Sequence, residues 1–260
     1  MKKFKLLYTF IIQQALSCIF PIAIFGILAL TKKINVPFIP RYDLIFILCL
    51  LVQYGMIRFK LETFKEFKLS LIFHFIGLIL EIYKTKIGSW TYPEFSYLKI
   101  DNVPVYSGFM YSSVASYVIQ SYFRLKLNFV NWPKKITTIL VALVIYGNFF
   151  TNHFYYDIRW YIILGIFLIF RKCYVEYHLR NIKFKMPVIF SYLFISFFIW
   201  LAENISTFLG AWKYPNQKLS WSMVSTSKIT SWFLLVIISI IIVVNYFKNK
   251  ENKLNINRAV

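Results

Sequence analysis

Two stretches of this 260-residue chain repeat one arrangement of acid, glycine, aromatics and proline. Residues 81–94 read EIYKTKIGSWTYPE, and residues 203–216 read ENISTFLGAWKYPN. Six of the fourteen positions are identical: Glu81/Glu203, Thr85/Thr207, Gly88/Gly210, Trp90/Trp212, Tyr92/Tyr214 and Pro93/Pro215, all 122 residues apart. Glu81 follows 12 uncharged residues and Glu203 follows 17. As helix those runs are about 18 Å and about 26 Å long, against about 30 Å of hydrocarbon in a bilayer. A carboxylate at such a depth is costly unless it is paired, protonated or wet, which makes Glu81 and Glu203 candidate catalytic acids or bases. Aromatic faces beside them can hold an apolar substrate or a developing cation, so Trp90, Tyr92, Trp212 and Tyr214 are candidate substrate contacts. The same four residues also suit an interfacial aromatic belt.

Other residues carry weaker signals. His153 and Asp157 are four apart and share a face if helix runs through both, which makes them further catalytic candidates. Asp157 with Arg159 also suits a tight helix hairpin. The chain has only three histidines, so no metal site is expected. Tyr106, Ser113, Tyr117 and Gln120 fall on one helical face if a helix covers 103–124, and Tyr106 and Tyr117 are candidate substrate contacts. Lys228, at the rim of the last apolar run, and Arg159 complete that set. His74 lies seven residues before Glu81 on the same face. Walker A, HExxH, DDxxD, GxSxG and histidine-rich motifs are absent from the sequence. That absence argues against ATP-driven transport, zinc proteolysis, metal-dependent prenyl transfer and di-iron chemistry, and no cofactor is expected.

The elements that must position these residues are apolar helices. The chain is 59% hydrophobic and 15% charged, where a soluble domain is about a quarter charged. The expected fold is all-α, a polytopic membrane helix bundle with eight spans near 7–30, 42–58, 67–85, 103–124, 136–156, 157–175, 186–207 and 220–247. The segments on one side of these spans carry 20 Lys+Arg and those on the other carry 9, which places both termini in the cytoplasm of a bacterial membrane. A net charge of +20, distributed between apolar runs, points to anionic lipid rather than nucleic acid. Basic groups such as Arg171, Lys172, Arg180, Lys183 and Lys185 read as anchors. Cys18, Cys49 and Cys173 form no CxxC pair and read as small buried hydrophobes. The 122-residue offset carries the first four spans onto the last four. Two parallel four-helix repeats, 1–127 and 128–260, are therefore expected within one membrane domain.

At EIYKTKIGSWTYPE, VPVYSGFMYSS and NHFYYDIRW the chain resembles the YoaT-like family of bacterial membrane proteins of unknown function, over nearly its whole length. That resemblance implies no established activity. More distantly it is similar to the membrane lycopene cyclases and carotenoid hydratases, whose duplicated bundles carry an acid, a Trp-x-aromatic segment and a Pro-x-Glu-Glu motif in each half. Glu81, Trp90, Tyr92 and Pro104 follow that order. Tyr106-Ser107 stand where the family has two glutamates, and the second half has no matching proline. The likeness implies a shared scaffold. The favoured expectation is a membrane enzyme doing proton chemistry on an isoprenoid or other lipid. Its alternatives are a proton-coupled small-solute transporter or channel, and a non-enzymatic membrane partner. The expected partners are membrane lipids and a hydrophobic small molecule.

Overall fold

Eight apolar runs set the number of helices, but a proline inside the first divides it. The computed structural model describes the backbone of residues 2–258 and the side chains of residues 4–248. Helices α1 (Lys2–Ser17) and α2 (Ile19–Lys33) replace the single expected span at 7–30 and meet at a 62° bend. Pro21 lacks an N–H, and its ring clashes with the carbonyl four residues back, at Ser17, where α1 stops. Helices α3 (Arg41–Arg58) and α4 (Phe64–Lys86) follow. A capping box starts α4: the Thr63 hydroxyl accepts from Glu66 N, and Glu66 accepts from Thr63 N at 2.8 Å.

The fourth expected span begins later than its apolar pattern. Strands β1 (Lys99–Ile100) and β2 (Val103–Pro104) form a hairpin around Asp101 and Asn102, whose φ values of 47° and 67° are those of a tight primed turn. One 3₁₀ turn (Val105–Ser107) then leads into α5 (Gly108–Arg124). Tyr106 is therefore not on the helix that carries Ser113, Tyr117 and Gln120.

Beyond α5 lie β3 (Asn128–Val130), α6 (Lys135–Thr151) and α7 (Arg159–Phe170). The basic stretch expected as an anchoring loop is instead a hairpin of β4 (Tyr174–Leu179) and β5 (Ile182–Pro187), completed to a three-stranded antiparallel sheet by β3. Alternation explains it. Glu176 pairs with Lys183 at 2.8 Å, while Tyr177 and Phe184 stack with ring centroids 5.4 Å apart. Helices α8 (Val188–Phe208) and α9 (Lys228–Arg258) close the chain, the latter starting at 228 rather than 220. The all-α expectation is thus corrected to a mostly helical chain with five short strands among the described residues.

By length and composition α8 and residues 228–248 of α9 can each cross a membrane, and the bent α1–α2 pair is a third candidate. Helices α6 and α7 are apolar but only 17 and 12 residues long. The chain divides into two compact units. One holds residues 10–121 and 200–226, and the other holds the remainder. The first packs α2 on α3 around Phe20, Ile24, Leu28, Tyr42, Ile45 and Cys49. The second packs α6 on α9, with Ile145, Leu234 and Ile237 fully buried.

Candidate functional site

Each acidic segment ends its helix in the same way, for a reason present in its sequence. Gly88 and Gly210 have φ values of +76° and +79°, a conformation that glycine adopts freely. After α4, Ser89 N donates to Lys84 O at 2.9 Å and Gly88 N to Thr85 O at 3.0 Å. After α8, Ala211 N donates to Ser206 O and Gly210 N to Thr207 O, both at 3.0 Å. These paired bonds reverse the chain and satisfy the last helical carbonyls. The reversal brings an aromatic pair back across the glutamate. Thr91 and Lys213 then pair as an antiparallel bridge, with reciprocal N–H···O bonds of 2.9 Å.

The two carboxyl groups are 6% and 4% exposed, and their charges interact. Glu81 Oε2 accepts from Trp90 Nε1 at 2.6 Å and from the Tyr92 hydroxyl at 2.7 Å, and its Oε1 accepts from the Tyr111 hydroxyl at 2.7 Å. Glu203 Oε1 accepts from the Tyr214 hydroxyl at 2.5 Å. The Trp90 and Tyr214 rings meet edge to face at 6.0 Å. Burial first, and then the neighbouring carboxylates, hold the Tyr92 and Tyr214 phenols well above their ordinary range. Both therefore stay as O–H donors.

Tyr111 was not evident from the sequence pattern, yet it supplies one of the donors to Glu81. Gly77 admits it: a Cβ at Gly77 would lie 2.2 Å from Tyr111 Cγ. Gly108 serves His74 in the same way, since a Cβ there would meet the imidazole ring at 2.7 Å. Glycine one turn before a buried acid, in a helix of otherwise large residues, was the available signal.

Around this centre the chain is tied down. The Arg41 guanidinium donates to Glu94 at 2.5 Å, Leu209 O at 2.7 Å and Gly210 O at 3.2 Å. It thus neutralises the carbonyl end of α8. The Tyr106 hydroxyl donates to Ala211 O, and its ring lies edge-on to Tyr92 at 6.2 Å. Asp43 accepts from Ser96 Oγ, Tyr97 N and Leu98 N at 2.6–2.9 Å and fixes the loop that carries the aromatics. Tyr117 donates to Gln14 at 3.1 Å rather than to either glutamate.

Glu81, Glu203, Trp90, Tyr92, Tyr106, Tyr117, Trp212 and Tyr214 all belong to the unit of residues 10–121 and 200–226. His153, Asp157, Arg159 and Lys228 belong to the other. Helix does not run from 153 to 157, because α6 ends at Thr151 and α7 begins at Arg159, so no shared helical face arises. Instead Asp157 Oδ2 lies 3.2 Å from Arg159 Nη2, Arg159 N donates to Asp157 Oδ1 at 3.0 Å, and Arg159 Nη1 reaches Thr230 Oγ1 at 2.9 Å. His153 is exposed and packs edge-on to Phe154. Lys228 opens α9. Among the described residues no three His, Cys, Asp or Glu side chains gather as a metal-binding group.

Comparison with known proteins extends the reading along the chain. Residues 6–240 match a family model described as "Protein of unknown function (DUF817)". The chain is 50% identical over 239 residues to the "Uncharacterized protein YoaT" of Bacillus subtilis (strain 168), covering 92% of this chain and 90% of that one. No solved structure matches. The Glu81 and Glu203 segments both lie inside the matched region, and the chain belongs to the DUF817 family.

Proposed function

We propose that the protein is an integral membrane enzyme that does acid–base chemistry on an isoprenoid or another hydrophobic lipid, with Glu81 and Glu203 as the proton-handling groups. The observation that carries this reading is the buried carboxyl pair surrounded by Trp90, Tyr92, Tyr111 and Tyr214 donors. Two interacting buried carboxyl groups are held most cheaply with one proton between them, which provides an acid and a base in one cluster. Aromatic faces at the same place suit an apolar substrate or a cationic transition state.

The membrane setting has separate support. Two helices are long and apolar enough to span, and the basic residues that give the +20 charge cluster at or beyond the ends of the apolar runs. The reading includes eight spans, two parallel four-helix repeats and cytoplasmic termini. The matched helix ends, the Tyr–Glu bonds at the same eleven-residue separation and the bridge between Thr91 and Lys213 support the duplication. The distant likeness to carotenoid-modifying membrane enzymes supports the lipid class.

Native mass spectrometry with lipid extraction tests the proposal on detergent-purified protein, wild type beside Glu81→Gln/Glu203→Gln. One isoprenoid or lipid retained by the wild type, and lost or chemically different in the variant, is the expected result. Bulk phospholipid alone in both samples overturns the reading.

A second reading is a proton-coupled carrier of a small solute. The direct pairing of Thr91 with Lys213, which places the two acidic segments side by side, favours it, because carriers built from repeats bind between the halves. Solute uptake by proteoliposomes that collapses with the proton gradient distinguishes it from the enzyme.

A further inference from the structure

A line of polar groups leads away from Glu81 along the contact between α4 and α5. On α5 the residues Gly108, Ser112, Ser116 and Gln120 recur every fourth position and form one stripe. Three of the four meet α4 or the residues just before it. Gly108 packs on the His74 ring, Ser112 O accepts from Ser70 Oγ at 3.1 Å, and Gln120 Nε2 donates to Leu61 O at 3.1 Å. Ser116 sits between the last two. On α4 the facing residues are Ser70, His74, Gly77 and Glu81. Beyond the start of α4 lies Glu62, which accepts from Gln53 Nε2 of α3. Glu66, the carboxylate nearest in sequence, is engaged in the cap with Thr63.

Three polar atoms on this line are buried without a hydrogen-bond partner: Glu62 Oε1, Ser116 Oγ and His74 Nδ1, in residues 2%, 1% and 5% exposed. Buried polar atoms of this kind require partners, and ordered water is a partner that can bridge them. The line spans about 27 Å from Thr63 to Glu81 at the helical rise, close to the thickness of bilayer hydrocarbon. It is not a requirement of helix packing. The positions 122 residues after the α5 stripe are Thr230, Leu234, Ile238 and Ile242, and Phe184 stands where Glu62 would fall.

We propose that the α4–α5 seam is a hydrated proton path linking the Glu81/Glu203 cluster to Glu62 at the opposite end of α4. This rests on the reading of that cluster as a proton-handling site and adds where its proton goes. Each link takes a proton on one side and releases one on the other. The net event is transfer of one proton from a carboxyl of the pair to the Glu62 carboxylate, and from there to water. The burial that holds Glu62 up to about 7 lets it take and give a proton near neutrality.

The test is proton flux into phosphatidylethanolamine/phosphatidylglycerol vesicles containing the full chain. An entrapped pH dye reports the flux, and a potassium diffusion potential drives it. Wild type should exceed protein-free vesicles. Ser116→Val and Glu62→Gln should each lower the excess about ten-fold, and Ser116→Thr should leave it intact. Ser116→Ala, which adds no atoms, reads the same loss if the valine disturbs folding. No excess flux, or an excess unchanged in both Ser116→Ala and Glu62→Gln, overturns the path. Flux lost in Glu81→Gln/Glu203→Gln but not in Ser116→Ala keeps the acid pair and rejects the seam. Flux lost in Ser116→Ala but kept in Glu81→Gln/Glu203→Gln keeps the seam and rejects the acid pair.

Discussion

The segments that begin at Glu81 and Glu203 share a turn and differ in what surrounds the acid. Both end a helix with a left-handed glycine, both return a tyrosine hydroxyl to the carboxylate eleven residues earlier, and they pair with each other at Thr91 and Lys213. Glu81 has in addition the Tyr111 hydroxyl, admitted by Gly77. The positions 122 residues after these two are Phe233 and Ile199, which supply neither a hydroxyl nor the space for one. The shared features are those that build the turn. The Tyr111 hydroxyl and the polar stripe accompany the Glu81 segment, and the positions 122 residues later do not reproduce them.

Gly77→Ala is the most damaging single change that this contrast predicts. The new methyl would sit 2.2–2.6 Å from three Tyr111 atoms, so the ring must leave. Overpacking costs about 1–3 kcal/mol, and Glu81, left short of a donor while buried, adds about 1–3 kcal/mol. A loss of about 3 kcal/mol or more is expected in thermal unfolding in detergent. Tyr111→Phe, which keeps the ring and removes only the hydroxyl, should cost about 1–2 kcal/mol. Equal stability of Gly77→Ala and wild type would remove the steric basis of the difference between the two segments.

The next effect in size lies at the far end of α4 and depends on pH. Burial pushes the Glu62 carboxyl up to about 7, with repulsion from Glu66 adding to the rise and the Gln53 hydrogen bond opposing it. The folded chain therefore binds this proton more tightly than the unfolded chain does. Its contribution is fully present below about pH 4.5, falls as pH rises through about 7, and is then flat, a change on the order of 3 kcal/mol. Unfolding followed from about pH 5 to about pH 8 should show that decline in the wild type and a flatter profile in Glu62→Gln. The same slope in both would place the titration elsewhere. Phe184, 122 residues after Glu62, has nothing to titrate.

Much of the acidic cluster was legible because its signals are local. A glutamate after an apolar run, a glycine past the helix end and a Trp-x-Tyr-Pro beyond it are all read within fourteen residues. Tyr111 was not, because its role depends on a gap at Gly77, 34 positions away. The polar face traced through Tyr106, Ser113, Tyr117 and Gln120 assumed a helix from 103. The Asp101-Asn102 turn delays the helix to 108, Ser113 bonds to Met110 O on its own helix, and the stripe facing α4 starts at Gly108. Pro21 and the alternation in 174–185 were local signals too, but the hydropathy of long windows averaged them away. The tight hairpin read at Asp157 and Arg159 is where α6 and α7 meet, and it excludes the alternative of one helix through His153 and Asp157.

The smallest predicted difference isolates what holds the second segment. Gly88 and Gly210 have nearly the same φ, so alanine at either position carries the same backbone penalty of about 1 kcal/mol. A Cβ at Gly88 meets nothing within 4 Å, whereas one at Gly210 lies 3.3 Å from Arg41 Nη1. The guanidinium must then give slightly, which lengthens its bonds to the Leu209 and Gly210 carbonyls and to Glu94. Half-buried and shared among several acceptors, it adds a few tenths of a kcal/mol to the cost. Gly210→Ala should thus unfold at a lower temperature than Gly88→Ala. Placing both glycine variants in an Arg41→Gln background should erase the gap if Arg41 is its source, and leave it unchanged if the Gly210 turn is intrinsically tighter.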